Sequence, residues 1–320
     1  MKRALAWGGV LVSGVFVWLA VRNVDFGRAG HALGEASWWP LVPALLLLVP
    51  ATWLRALRWQ ALFDARTRPP LAPVTHAMLI GLLFNQILPA RAGEAARIVA
   101  LWREAGTSRV EALGTAVAER VYDVFALLVL LFVLEPFVPQ VSWLGKAAVV
   151  AAVLAVLIAA TVVVLARWQE APLLWLFRRV PPLRSERAER AARNLVHGLA
   201  SFRHPAIAAR AFALTVVSWL VLGASAWLLL VGFHFGLGYG AGMLAMIATA
   251  LVLVIPAAPG GVGQFEAAAI VALSVFGVDR SRALSYGVVL HAVNLLPYLA
   301  AGYVALQRHA AAVRRRREAA

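Results

Sequence analysis

Cysteine is absent from the sequence. That excludes disulfides, thiolate nucleophiles and cysteine-based metal sites. Charge is scarce as well: 14% of residues are Asp, Glu, Lys or Arg, against about a quarter in an average chain. Acidic residues are the rarer sign, 15 against 30 basic. No set of histidines and carboxylates has metal-ligand spacing, and no serine nucleophile motif occurs, so neither a metal nor a cofactor is expected. Short alternating apolar and polar segments, which mark a transmembrane β-barrel, are missing too.

What the sequence has is hydrophobicity. Of its 320 residues, 62% are apolar. Several runs approach or exceed the ~20 residues that a helix needs to cross a ~30 Å hydrocarbon core. The expected fold class is all-α: a polytopic membrane helix bundle forming one integral membrane domain over residues 1–320. Full spans are expected near 4–21, 38–54, 108–134, 143–167, 206–232 and 283–307. The opening MKRALAWGGVLVSGVFVWLAV has the basic-then-apolar form of a signal peptide but no small-x-small cleavage site, so it reads as an uncleaved first span. Residues 168–205 are basic and too polar for lipid; a place on the membrane surface, against anionic headgroups, is expected.

Two further apolar regions are interrupted. One runs from Val74 to Leu101 and contains NQILPARAGEAAR; the other runs from Gly240 to Val278 and contains IPAAPGGVGQFE. The arm from Val74 to Leu88 measures roughly 22 Å at ~1.5 Å per residue, and the arms 241–255 and 264–277 are similar. Each falls short of a crossing, so two re-entrant helical hairpins are expected.

The net charge of +15 would suggest nucleic acid in a soluble chain. Here its distribution has a simpler cause. Starting with the N-terminus in the cytoplasm, 24 of the 30 basic residues fall on the cytoplasmic side and 5 outside; Arg120 lies inside a span. The positive-inside rule then puts both termini in the cytoplasm of a plasma (inner) membrane protein, and no nucleic-acid partner is expected. With this topology the halves, about 1–135 and 143–307, are inverted copies, a plan used by many secondary transporters. Glu94 to Glu119 and Glu266 to His291 are both 25 residues apart, a matching spacing.

Broken helices restart with free backbone N–H groups and a positive dipole end, which suit anions. Gly260, Gly261 and Gly263 permit tight backbone beside a ligand, or simply a turn between packed helices. Both readings stay open. No Gly-Lys-Ser/Thr follows, so this is not a nucleotide P-loop. Glu94 and Glu266 sit in the first turns of the restarting helices, where a carboxylate caps or serves function. Arg91 and Arg97 flank Glu94, whereas Glu266 has no charged neighbour and needs a partner from another helix. Glu119, Arg120 and Asp123 lie within one span; Glu119 is roughly 16 Å deep by helix rise, which favours an ion cluster over snorkelling. Arg55 and Arg58 in WLRALRW read as an interfacial anchor, with a phosphate-gathering entry as the alternative. His291, Asn294 and Tyr298 share a face of the last span, for interhelical hydrogen bonds or a proton relay.

LRALRW at 54–59, NQILPARAGEAAR at 85–97, ERVYD at 119–123 and PAAPGGVGQFE at 256–266 lie in order along most of the chain. Together they resemble the flippase-like membrane-region family named for the membrane portion of lysylphosphatidylglycerol synthase. The resemblance implies a protein that handles headgroup-bearing lipids. It carries over Arg58, Asn85, Pro89, Arg91, Glu94, Arg97, Glu119, Arg120, Asp123, Gly260, Gly261, Gly263 and Glu266 as recurrent residues; with His291 and Asn294 the polar and glycine members form the candidate substrate-binding set. Only 13 residues follow Gln307, too few for the soluble aminoacyl-transferring domain of the full synthase, so aminoacylation is not implied. The expected function is a lipid translocase for an anionic or phosphate-bearing lipid, a phospholipid or a polyprenyl-phosphate carrier. A membrane-embedded transferase on a lipid-linked substrate, and an accessory subunit partnering an envelope-lipid synthase, are the alternatives.

Overall fold

The computed structural model describes residues 14–88, 92–139, 141–168, 204–254 and 259–318. Among them there is no strand. Residues 14–21 are helical, the described part of the expected first span. The helices that follow are α1 (Phe26–Gly34), α2 (Leu41–Ala61), α3 (Leu71–Ile87), α4 (Gly93–Ala105), α5 (Arg109–Leu134), α6 (Ser142–Trp168), α7 (Pro205–Gly232), α8 (Tyr239–Val252), α9 (Gln264–Ser274) and α10 (Arg280–Glu318). The chain is an integral membrane protein: Leu41–Ala61, Leu144–Thr161, Pro205–Gly232 and Arg280–Arg314 are each long and apolar enough to cross a bilayer. α5 has 26 residues, ample length, but gathers Glu119, Arg120 and Asp123 in its middle.

Local chemistry explains the boundaries. Asp25 caps α1, its Oδ1 accepting from the N–H groups of Gly27 (2.9 Å) and Arg28 (3.1 Å). This short helix was not expected from the apolar pattern, because it lies in a polar connection. Ser108 caps α5. α4 ends where Gly106 turns left-handed, φ 74°. The expected basic segment lies largely outside the described residues.

Both expected interruptions are present. α3 gives way before Gly93, and α8 stops at Val252 with α9 starting at Gln264. The four arms have 17, 13, 14 and 11 residues, roughly 16–26 Å each, and none matches the hydrocarbon thickness. The two arms of each pair pack on one another. α3 and α4 approach so closely at Gly81 and Gly93 that a Cβ on Gly93 would meet the Gly81 carbonyl and sit 2.6 Å from Asn85 Oδ1.

Apolar packing divides into two main bodies. One joins parts of α2, α5, α7, α8, α9 and α10 around Leu48, Leu127, Leu230, Met243, Ile247, Leu273 and Leu290. The other joins the last turns of α2 to α3, α4 and late α10 around Trp59, Phe63, Met78, Ile80 and Leu101. Outward faces stay apolar, as lipid contact requires: Leu46 and Val49 of α2 are 63% and 67% exposed. A layer of buried charge separates the two bodies.

Candidate functional site

That layer starts with α2, which continues helical through Ala61 rather than ending near residue 54. The extension carries Arg55 and Arg58 inward. Arg58 is 1% exposed and Trp59 is fully buried, so the interfacial-anchor reading of Arg58 is corrected. The cause is α7, which packs broadly along α2 and presents the buried Thr215 and Trp219, one turn apart, behind the guanidinium.

Arg58 forks onto Asp123, with Nη1 to Oδ1 at 2.6 Å and Nη2 to Oδ2 at 3.4 Å. Nη1 also donates to Thr215 Oγ1 at 3.0 Å, while that hydroxyl donates to the Ala211 carbonyl at 2.7 Å. Trp219 Nε1 completes the cradle around Asp123 Oδ1 at 3.3 Å. Such a bidentate geometry, with both terminal nitrogens of the guanidinium engaged, is what makes a buried charge tolerable.

Glu119, one turn before Asp123, is the hub. Its Oε1 lies 2.6 Å from Arg120, 3.0 Å from Arg97 and 3.4 Å from Arg58. Arg97 reaches on to Glu94 (2.7 Å) and lies over the Trp59 ring, 4.6 Å from its centroid. Trp59 in turn donates to Thr115 on α5 at 3.1 Å. Arg120 also approaches Asp123 (3.4 Å) and Glu94 (3.7 Å), and at 46% side-chain exposure it is the open edge of the cluster. Glu94 therefore serves the ion cluster rather than capping α4, whose first turn has no side-chain cap.

The cluster forms one wall of a cavity of about 250 Å³. Asn85 and Gln86 at the end of α3 line it, and so do Gly260, Gly261 and Gln264 from the second interruption. The two breaks thus meet at one space. Gly260 and Gly261 both take left-handed backbone, φ 71° and 70°. A Cβ on Gly260 would lie 3.7 Å from the Gln86 carbonyl, and one on Gly261 would strike Leu253. Only glycine allows this approach without strain.

Within the described lining, three carboxylates (Glu94, Glu119, Asp123) face four guanidinium groups (Arg55, Arg58, Arg97, Arg120). Arg58, Arg97 and Arg120 are held by the carboxylates, whereas Arg55 makes no ion pair among the described residues and stacks on Trp219 at 4.7 Å. Arg55 Nε, Asn85 Oδ1 and Glu119 Oε2 are buried without a hydrogen-bond partner. No group of three or more metal-ligating side chains is placed around an ion position among the described residues.

Other candidates lie elsewhere. Glu266 caps its own helix, with Oε2 accepting from Gly263 N–H at 2.7 Å, while Oε1 takes His291 Nδ1 at 2.6 Å. The partner that the sequence required is therefore His291 on α10. Its Nε2 reaches the Gly260 carbonyl at 2.8 Å and its ring stacks on Phe265, so it fastens the second break in place. Gly263 faces Val17, whose side chain would lie 2.6 Å from a Cβ at that position, and is not part of the cavity lining. Asn294 hydrogen-bonds its own Leu290 carbonyl rather than another helix. Pro89 and Arg91 lie outside the described residues. Sequence reasoning read Arg55 first as an interfacial anchor and left it out of the binding set, and it missed Thr215, Trp219 and Gln264; the only signal for Thr215 and Trp219 was their one-turn spacing in an apolar span.

A consequence follows for the second break. Glu266→Ala removes both the cap and the His291 contact, and is expected to cost about 1–3 kcal/mol of apparent stability. Glu266→Gln, whose amide oxygen still accepts from Gly263, costs less. Thermal unfolding in detergent checks the order; equal losses would remove capping as the cause.

Comparison with known proteins gives two findings. A family model described as the lysylphosphatidylglycerol synthase TM region matches residues 6–302. A UPF0104 membrane protein of Methanothermobacter thermautotrophicus is 24% identical over 312 residues, covering 92% of this chain and 89% of that protein.

Proposed function

The chain belongs to the lysylphosphatidylglycerol synthase transmembrane-region family, and from that premise we propose that it moves an anionic, phosphate-bearing lipid between leaflets of the plasma (inner) membrane. One observation carries the reading: two interrupted helix pairs from opposite ends of the chain line the same cavity, whose wall carries one guanidinium more than carboxylates among the described residues. A phosphate entering there meets Arg55, whose Nε has no hydrogen-bond partner among the described residues, and the left-handed glycine backbone of the second break.

The topology belongs to the same proposal. Six helices cross: the segment containing residues 14–21, then α2, α5, α6, α7 and α10. The pairs α3–α4 and α8–α9 enter from opposite faces as re-entrant hairpins, and both termini are cytoplasmic. The matched spacing supports inverted halves. Glu266 bonds the residue 25 positions on, His291, and Glu94 is tied to the residue 25 positions on, Glu119, through Arg97. In each half the restarting helix is thereby fixed to the helix after it. The transferase alternative drew on carboxylates free to act as bases; Glu94, Glu119 and Asp123 are instead all held in ion pairs.

The test is leaflet exchange by the full chain in vesicles. Phosphatidylglycerol, polyprenyl phosphate and phosphatidylcholine with fluorescent tails are compared, with and without a proton gradient. Exchange of the anionic lipids above phosphatidylcholine is expected. Arg55→Gln, which loses a charge-assisted contact, should slow it about tenfold or more. Folded protein that exchanges none of the panel, or that ignores Arg55→Gln, overturns the proposal.

A further inference from the structure

A second recess lies on the outside of the bundle, away from the central cavity. It is a trough of about 760 Å³ between early α3 and late α10, within the ~300–1,000 Å³ range of small-molecule sites. Two stripes at helical spacing form its sides: Ala72, His76 and Leu79 on α3, and Ala301, Val304 and Arg308 on α10. The helices are pinned together at Gly302, where a Cβ would lie 2.6 Å from Leu83 Cβ and 2.7 Å from the Leu79 carbonyl. On the flank of that contact the small alanines are too short to close the gap.

One end of the trough is polar in an unusual way. Glu104, buried in the last turn of α4, takes two imidazoles: His76 Nδ1 on Oε1 and His309 Nδ1 on Oε2, each at 2.8 Å. Three helices are joined by one carboxylate. Its grip on Nδ1 orients the His76 ring and leaves Nε2 as the nitrogen that can meet a ligand in the trough. Glu104 is occupied by both rings and does not pair with Arg308. Arg308 is exposed and makes no ion pair among the described residues. α10 then runs on into the basic stretch 314–317. This is therefore the end of the trough at the headgroup level, where cations favour anionic lipid.

We propose that this trough holds one anionic glycerophospholipid as a bound, slowly exchanging lipid. One acyl chain runs along the alanine floor beside Leu79 and Val304, and the phosphate lies between Arg308 and His76. The apolar length accounts for a chain rather than a free phosphate, and the cation at one end accounts for the sign of the headgroup. The site is independent of the central cavity, which it does not share a residue with.

The test uses the detergent-solubilised full chain and phosphatidylglycerol carrying a photoactivatable acyl chain, with the labelled peptides mapped. Labelling should concentrate on residues 71–79 and 300–308. Unlabelled phosphatidylglycerol should compete about fivefold better than phosphatidylcholine, and glycerol phosphate without acyl chains should not compete. Arg308→Gln should remove the preference for the anionic headgroup, and Ala301→Phe should fill the trough and remove the labelling. Arg55→Gln should change neither, which separates this site from the proposed transport path. Labelling spread over the lipid-facing surface, or equal competition by phosphatidylcholine, overturns the proposal. Trough residues already shielded in delipidated protein would also overturn it, because a protein segment would then be the occupant. The competition arms need only the unsubstituted chain, so a variant that fails to fold leaves the outcome decided.

Discussion

Arg58→Gln lowers the apparent stability of the protein by about 3–5 kcal/mol, the loss expected when one member of a buried ion pair goes and its partners keep their charge. Arg58 is 1% exposed and touches Asp123, Glu119 and Thr215 at once. Glutamine supplies a single NH2 group where a fork of guanidinium donors stood, and it carries no charge. Asp123 keeps only Arg120 at 3.4 Å and the Trp219 N–H at 3.3 Å. Arg58→Lys should lie between the two, because an ammonium restores the charge but not the bidentate geometry. The readout is the midpoint of thermal unfolding in detergent, with a fall on the order of 10 °C expected for glutamine. Pairing Arg58→Gln with Asp123→Asn should give a double loss smaller than the sum of the single ones. Losses that simply add, or a glutamine variant within about 1 kcal/mol of the parent, would mean that the cluster is solvated rather than buried.

Gly93→Val is expected to abolish the folded yield, and Gly93→Ala to cost about 1–3 kcal/mol or more. The reason is the contact between α3 and α4, the two arms of the first interrupted region. A Cβ at Gly93 points at backbone, the Gly81 carbonyl, and at Asn85 Oδ1 2.6 Å away; one at Gly81 would lie 2.9 Å from Arg97 Cβ and 3.1 Å from the Gly93 carbonyl. A flexible side chain could give way, but a carbonyl held in a helix cannot. α3 and α4 must separate, and Arg97 then moves relative to Glu119. Gly93→Ala should therefore also depress lipid exchange by more than its stability loss explains. Gly34→Ala is the control: nothing lies within 4 Å of its Cβ and it ends the exposed α1, so it should be neutral or slightly stabilising. Comparable losses at Gly34 and Gly93 would sink the steric account.

Asp123 and Glu119 were legible as a cluster because two carboxylates one helical turn apart in an apolar span need partners. Arg97 was legible as the neighbour of Glu94. Arg58 entered the candidate set only through the family resemblance, because an arginine beside tryptophans at the end of an apolar run has the same local pattern whether it meets headgroups or a core. His291 was visible as a spacing and as one of three polar residues on a face of the last span, and that it, rather than Asn294 or Tyr298, meets Glu266 depended on how α9 lies against α10. Asn294 shares its helix with His291 yet turns to its own backbone.

The sequence by itself determined the lipid-soluble helices, the two places where they break, the absence of thiol chemistry and the need to neutralise charges within α5. These are local properties: apolar length, Pro and Gly backbone preferences and the cost of ions in hydrocarbon act within a few residues of chain. Only the tertiary structure decided that the two breaks share one cavity, that Arg58 is buried while Arg55 makes no ion pair among the described residues, and that Glu104 joins His76 to His309. Those outcomes hang on how closely helices remote in sequence can approach, and that is set by packing at points such as Gly81 against Gly93 and Gly302 against Leu83, which no local pattern encodes.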